Sequence, residues 1–331
     1  MENTTTVTTI STEKKRPPFL IEIVIRLIKE KPLATFGAAI VLVMFLAGIF
    51  AGWPPFVEIF DRNAESTPLL APYGSNVQDW GDRLQGPSVK HLLGTDNLGR
   101  DLLSRIIYGA QISMVVGLAV PAIQTILNLL IGGVAAYLGG KVDLIVMLFV
   151  DVVMSFPGLV IMLTVVAITG PGLIQVVLLL GILGGIGAGN RVARSAVLSI
   201  RQNTYIEAAR SVGSTNWRTM VKHILPNIMP IVIVGFTLSM GGAILAEATQ
   251  SFLGYGIPPP APSWGGMLSG QARSYMLQAP WMALWPGLAL AAVVYGMNMF
   301  GDGLRDILDP RLRGGLGRYG ATKKKKPRTS Q

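Results

Sequence analysis

The charge of this chain is gathered into a few islands, and long apolar runs separate them. That distribution constrains the fold more than any single motif. Roughly 20 apolar residues carry a helix across the hydrocarbon core of a bilayer. Six such runs can be traced, at about 33–53, 112–138, 144–168, 173–189, 228–253 and 281–300. Half of the 331 residues are hydrophobic and 14% are charged, too little charge to coat soluble domains of that length. The reading is an all-α polytopic membrane protein with six transmembrane helices. Cysteine is absent, which excludes disulfides, thiolate metal sites and cysteine nucleophiles and leaves the redox compartment open. About thirty residues precede the first run, which lacks a small-residue cleavage site. It reads as an uncleaved span and not as a secretory signal.

Six spans place both termini on one side. Of the 28 Lys and Arg residues, six precede the first run, one is Lys141, six lie in 190–226 and nine in 303–331, making 22 on that side. Loop 54–110 holds five and loop 254–280 holds one. The excess marks the cytoplasmic side. The expected organisation is a cytoplasmic segment 1–32, span 33–53, external loop 54–110, a permease domain 111–302 containing cytoplasmic loop 190–226 and external loop 254–280, and a basic cytoplasmic tail 303–331. Loop 54–110 is mildly acidic through Glu58, Asp61, Glu65, Asp79, Asp82, Asp96 and Asp101. The net charge of +10 is a topology signal with attraction to anionic lipid, and it implies no nucleic acid. Residues 1–18 read as a disordered Thr-rich and basic tail, and lysines 323–326 as a solvated run near lipid headgroups. Residues 19–31 carry Ile21, Val24, Ile25, Leu27 and Ile28 at helical spacing. They form either a helix on the membrane surface or a helical lead-in to the first span.

The basic stretch 201–226 reads as two short helices joined by a tight turn. Gly213 ends the first as a left-handed C′ residue. Ser214 or Thr215 caps the second. Trp217, Met220, Val221, Ile224 and Leu225 form one apolar face, and Pro226 stops the helix. A DNA-binding helix-turn-helix has a similar pattern but needs freedom to enter a major groove, and this pair is tied to the membrane at both ends. A docking helix pair is the better reading. Asp151 and Glu247 are the carboxylates well inside spans, where a charge costs on the order of 2.5–3.5 kcal/mol. They either line a pathway, meeting a substrate amino group or metal ion, or pair with another helix. Asp96, Arg100 and Asp101 are expected on a short amphipathic helix capped by Thr95 or Asp96, as an entry to the second span or an external contact. Asp302, Arg305, Asp306 and Asp309 sit at helical spacing for local ion pairs. Lys141 to Asp143 is expected as a turn. His91 and His223 are too far apart for a metal site, so no metal is expected.

Glu207-Ala208-Ala209, then Gly213, then Ile224-Leu225-Pro226 resembles the EAA loop of the membrane subunits of ATP-binding-cassette importers. HLLGTDNLGRD at 91–101 resembles the segment before the second span in dipeptide, oligopeptide and nickel permeases. So do Glu247 with SFLG at 251–254, Pro258-Pro259, Ser263-Trp264-Gly265, Ala279-Pro280-Trp281 and GDGLRDILDPRL at 301–312. The resemblance spans 90–313 and points to the second, C-type, permease of a peptide-class importer. It implies a type I importer fold in which Glu207, Ala208, Ala209 and Gly213, with Trp217 beside them, form the element that couples to an ATPase. It also implies a B-type permease partner, two cytoplasmic ATPase subunits carrying ATP and Mg, an external binding protein that Asp96, Arg100 and Asp101 would meet, and a bacterial or archaeal plasma membrane. In this family an arginine usually stands three residues before Asp151, where this chain has Leu148, and a tryptophan is common near Ile186. The chain has no G-x-x-x-x-G-K-[ST] phosphate loop, so it is expected to carry no cofactor and to be no enzyme. The default cargo is di- or oligopeptides, with nickel chelates, glutathione or oligosaccharides as alternatives. A rival reading is a secondary transporter driven by an ion gradient, but such folds show related halves and no internal repeat is visible. A membrane enzyme would need clustered catalytic groups, which are missing.

Overall fold

The structure is a computed structural model and describes residues 19–61 and 66–308. The Thr-rich tail, Glu65, Asp309 and lysines 323–326 lie outside the described residues. Helix α1 (Phe19–Glu30) leads into α2 (Pro32–Ile49), with Pro32 at a first-turn position where its missing N–H costs nothing. Leu27 packs with Ala34 and Ile307. Ile21, Val24, Ile25 and Ile28 stay uncovered by protein. A two-residue antiparallel ribbon, β1 (Gly52–Trp53) with β2 (Thr67–Pro68), and a single helical turn, α3 (Val57–Phe60), begin the long loop.

Helix α4 (Leu102–Leu138) follows. Pro121 lies inside it without breaking it, and a wider π turn occupies Leu129–Gly133. The expected turn at Lys141 to Asp143 is a correction. The reversal is made by Gly139 and Gly140 alone, at φ +72° and +57°, and α5 (Gly140–Met154) already contains Lys141 and Asp143. Only glycine enters that backbone region freely, so the chain turns in two residues. Helix α6 (Gly158–Thr169) continues α5 at a 75° bend, at the Ser155-Phe156-Pro157 break. Helices α7 (Leu173–Gly185) and α8 (Gly189–Arg201) are likewise bent, by 46°. The start of the basic island is therefore helix. Next come α9 (Thr204–Ser211), α10 (Asn216–Phe252), two short helices α11 (Trp264–Leu268) and α12 (Gly270–Tyr275), and α13 (Trp281–Leu308). Four helices (α2, α4, α10 and α13) are long and apolar enough to span a membrane, and the two bent pairs make six if each is one span.

Lipid is as apolar as leucine, so these helices cannot be held together by exclusion from water and must pack by close contact. Helix α2 packs on α13 and α4, and α4 on α7 and α10. Val41, Met44, Ala110, Met240, Ile244, Trp264, Val293 and Met297 form one core cluster. A second joins Ile112, Val116 and Val120 to Val176, Leu180 and Ala243. Small residues let the backbones meet. A Cβ on Gly37 would stand 2.5 Å from the Gly296 carbonyl oxygen, and one on Gly185 would stand 2.6 Å from Leu127. Replacing Gly37 by leucine should overpack the α2–α13 seam at a cost of about 1–3 kcal/mol and lower the thermal midpoint of the purified protein in detergent. Gly158→Ala, where a Cβ meets nothing within 4 Å, should leave the midpoint unchanged. Equal midpoints in the two variants would overturn this account of the seam.

Candidate functional site

The helix pair begins with α9. Its Ile206 is fully buried against Val197, Ile224, Ile228 and Tyr137, so the pair is rooted in the bundle and does not hang free. Glu207 and Ala208 face outward and Ala209 is half-buried. The helix ends in a double hydrogen-bonded cap: Ser214 N–H donates to Ala209 O at 3.0 Å and Gly213 N–H to Arg210 O at 2.9 Å. That cap requires a left-handed residue, and Gly213 supplies it at φ +87°. Thr215 Oγ1 then accepts from Arg218 N–H at 3.3 Å and caps α10. Tyr137 of α4 ties the pair down. Its hydroxyl bonds Asn216 Oδ1 at 3.1 Å, and the Arg210 guanidinium lies 5.1 Å from its ring centre.

Two expectations about this pair are corrected. Pro226 does not stop the second helix, because α10 runs through it to Phe252. A π turn at Met220–Ile224 sits directly before the proline, and this wider turn shifts the hydrogen-bond register where proline offers no donor. Nor do the five apolar residues share a face. Ile224 is fully buried, while Trp217 and Val221 are 75% and 38% exposed. The exposed set at the tip is Tyr205, Val212 and Trp217.

Asp151 and Glu247 are not brought together. Asp151, on α5, is paired with Arg191 of α8 at 2.6 Å, both side chains about half exposed. One helical turn further along α8, Arg194 grips Asp143 with two bonds of 2.7 Å. Glu247, on α10, is 1% exposed. Ser251 Oγ donates to its Oε1 at 2.6 Å. At the joint of α7 and α8, facing the π turn of α4, lies Asn190, fully buried. Its Nδ2 donates to Gly185 O and Gly187 O at 2.8 and 3.1 Å, and its Oδ1 accepts from Gly132 N–H at 3.0 Å. Arg191, Arg194 and Asn190 were missed as site residues. The arginines' helical spacing just past a span was the available signal, and nothing local marks Asn190.

Asp96, Arg100 and Asp101 are not on a helix, which corrects the expected amphipathic helix. They form a hydrogen-bonded loop, and α4 starts only at Leu102. Asp96 accepts from Leu98 N–H, Arg100 N–H and Arg100 Nε at 2.8, 3.0 and 2.7 Å. These local bonds compete with helix, as aspartate side chains commonly do. Asp101 is the cap of α4, accepting from Ser104 N–H and Oγ at 2.8 and 2.7 Å. Its other oxygen meets Nδ1 of buried His91 at 2.9 Å, and His91 Nε2 lies 3.3 Å from Asp82. Lys90, bonded to Asp82, holds that carboxyl below its usual range. Near the last helix's end, Asp306 pairs with Lys31 at 2.6 Å, across helices and not locally as expected.

The class this architecture defines is a multi-pass membrane transport component with an exposed helix pair built into its spans. The chain belongs to the family of binding-protein-dependent transport system inner membrane components, whose model matches residues 128–314. Similar proteins include the probable D,D-dipeptide transport system permease protein DdpC of Escherichia coli (strain K12), 38% identical over 87% of this chain and 91% of that one. The dipeptide transport system permease protein DppC of Alkalihalophilus pseudofirmus is 37% identical over 86% and 88%. The glutathione transport system permease protein GsiD of Escherichia coli O6:K15:H31 is 37% identical over 87% and 90%. Membership makes this chain a transport subunit and not an enzyme, and sets aside the ion-gradient alternative. The two ion pairs allow a direct check on the bent spans. In double-mutant cycles the Asp143–Arg194 coupling should reach about 1–3 kcal/mol and exceed that of the more exposed, singly bonded Asp151–Arg191 pair. The measurement is unfolding of the purified protein, and a reversed order would contradict the geometry.

Proposed function

We propose that this chain is the C-type permease of an ATP-driven importer of small peptides. It forms the translocation pathway with a B-type permease. Two cytoplasmic ATPase subunits carry ATP and Mg, and an external binding protein delivers cargo. Both termini and the α9–α10 pair face the cytoplasm of a bacterial or archaeal cell. The observation that carries the reading is mechanical. Glu207, Ala208 and Gly213 are displayed at the tip beside exposed Trp217 and Val212, and α10 runs unbroken from Asn216 to Phe252. A push on the tip is therefore delivered along a whole span, as a rigid movement between packed states requires. Dipeptides and glutathione are the cargoes named for the relatives, and a small peptide is the chemistry they share. Asp151 with Arg191 is the better pathway candidate, since half-exposed charges in a span need water or protein beside them. Glu247 is buried and bonded to Ser251. On the outer face, Asp96 and Asp101 are 4% exposed and the Arg100 side chain 13%, so none of the three offers the binding protein an open contact.

Uptake of a labelled dipeptide into vesicles holding the whole importer should require ATP and the binding protein. Uptake driven by an ion gradient with no ATPase present would sink the proposal. Gly213→Val is the sharper test of coupling. A Cβ there meets no atom within 4 Å, but a left-handed β-branched residue costs about 1–2 kcal/mol and loosens the cap. Membrane insertion should survive and co-purification of the ATPase should be lost. Unchanged co-purification would count against docking at this tip.

A further inference from the structure

At the end of α10 opposite the coupling tip, the loop before α4 and the loop after α10 enclose a cavity of about 370 Å³. That is the small end of the range for ligand-binding cavities and suits a molecule of dipeptide size. One wall is charged, with Asp96, Arg100 and Arg105. Asp96 and Arg105 are 4% and 6% exposed, so the wall is built into the fold and is not a solvated surface. Two guanidinium groups against one carboxylate leave it a net positive charge. Arg105 is tied to the loops through Nη1, which donates to Ser75 O at 2.9 Å, to Asn76 Oδ1 at 3.3 Å and to Pro260 O at 3.5 Å. Arg100 donates through Nε to Asp96 Oδ2 at 2.7 Å, and among the described residues its two Nη groups have no partner. A guanidinium held by its Nε and free at both Nη positions is oriented to receive a carboxylate. The opposite wall is apolar, with Ile257, Pro258, Met267 and Met282. Ser251, on the last turn of α10, also lines the cavity and bonds Glu247 at 2.6 Å.

We propose that this cavity is a site on the permease itself for the free C-terminal carboxylate of a small peptide, with an aliphatic or aromatic side chain against Ile257 and Met267. The inference rests on the peptide reading above and adds the residue that selects the carboxylate, Arg100. It also places cargo at one end of α10 and the ATPase at the other, so a single helix feels both.

The test uses the whole importer without binding protein or nucleotide and the photoreactive dipeptide alanyl-photoleucine. Irradiation should label this chain within 96–105 or 254–270. Arg100→Gln should cut the labelling by about tenfold, the equivalent of roughly 1.4 kcal/mol and the least expected for a charge-assisted pair. The C-terminal amide of the probe should label the unmodified protein as weakly. Ile257→Trp fills the cavity while leaving the Asp96–Arg100 pair alone, and should abolish labelling in a complex that still assembles. Labelling elsewhere, equal labelling by the amide, or labelling that both variants retain would overturn the site. Uptake of alanyl-photoleucine by the complete importer is measured alongside. Uptake without labelling of the cavity overturns the site alone, and absence of peptide uptake overturns the peptide reading and this inference with it.

Discussion

A helix that breaks inside a membrane must find new partners for the backbone groups it frees, because hydrocarbon offers none. This chain breaks or widens its helices at several places, and the rest of the structure depends on how those groups are satisfied. Asn190 is the clearest case. One carboxamide closes two carbonyls at the α7–α8 bend and one amide in the π turn of α4, joining two interruptions that would each be costly alone. Its burial is complete, so none of those bonds competes with water.

The charges follow the same logic. Arg194 and Arg191 emerge just past that bend and pair with Asp143 and Asp151 on α5, so the two bent spans are clasped beside their joints. Above the clasp the bundle is held by close contact between small residues. Below it Tyr137 and Ile206 bind the α9–α10 pair to α4 and α8. The exposed tip is thus an extension of the spans, and α10 runs from it as one continuous helix to the cavity at its far end.

Much of this was legible in the chain. The apolar runs marked the four long helices and the two bent pairs, because hydrophobic length is a local property. The left-handed Gly213 and the cap at Thr215 were legible for the same reason, since both are decided within a few residues. What misled was chemistry settled at a distance or by competition. Pro226 signals a stop, yet a π turn absorbs it. Trp217 and Ile224 are spaced as one face, yet only Ile224 meets the bundle. Asp96 and Asp101 look like helix entry, yet Asp96 binds its own loop and Asp101 divides its oxygens between His91 and the helix cap.

The sequence by itself determined that the chain is a multi-pass membrane protein and which family it belongs to, because hydropathy and short motifs need no neighbours. Only the tertiary structure decided which charges are paired, where the helices bend, and that among the described residues Arg100 keeps two donors free beside a cavity. Those outcomes depend on groups brought together from distant parts of the chain, such as Arg191 to Asp151 and Lys31 to Asp306. In a medium without water, the partner a polar group finds sets its energy, and the partner is chosen by the fold.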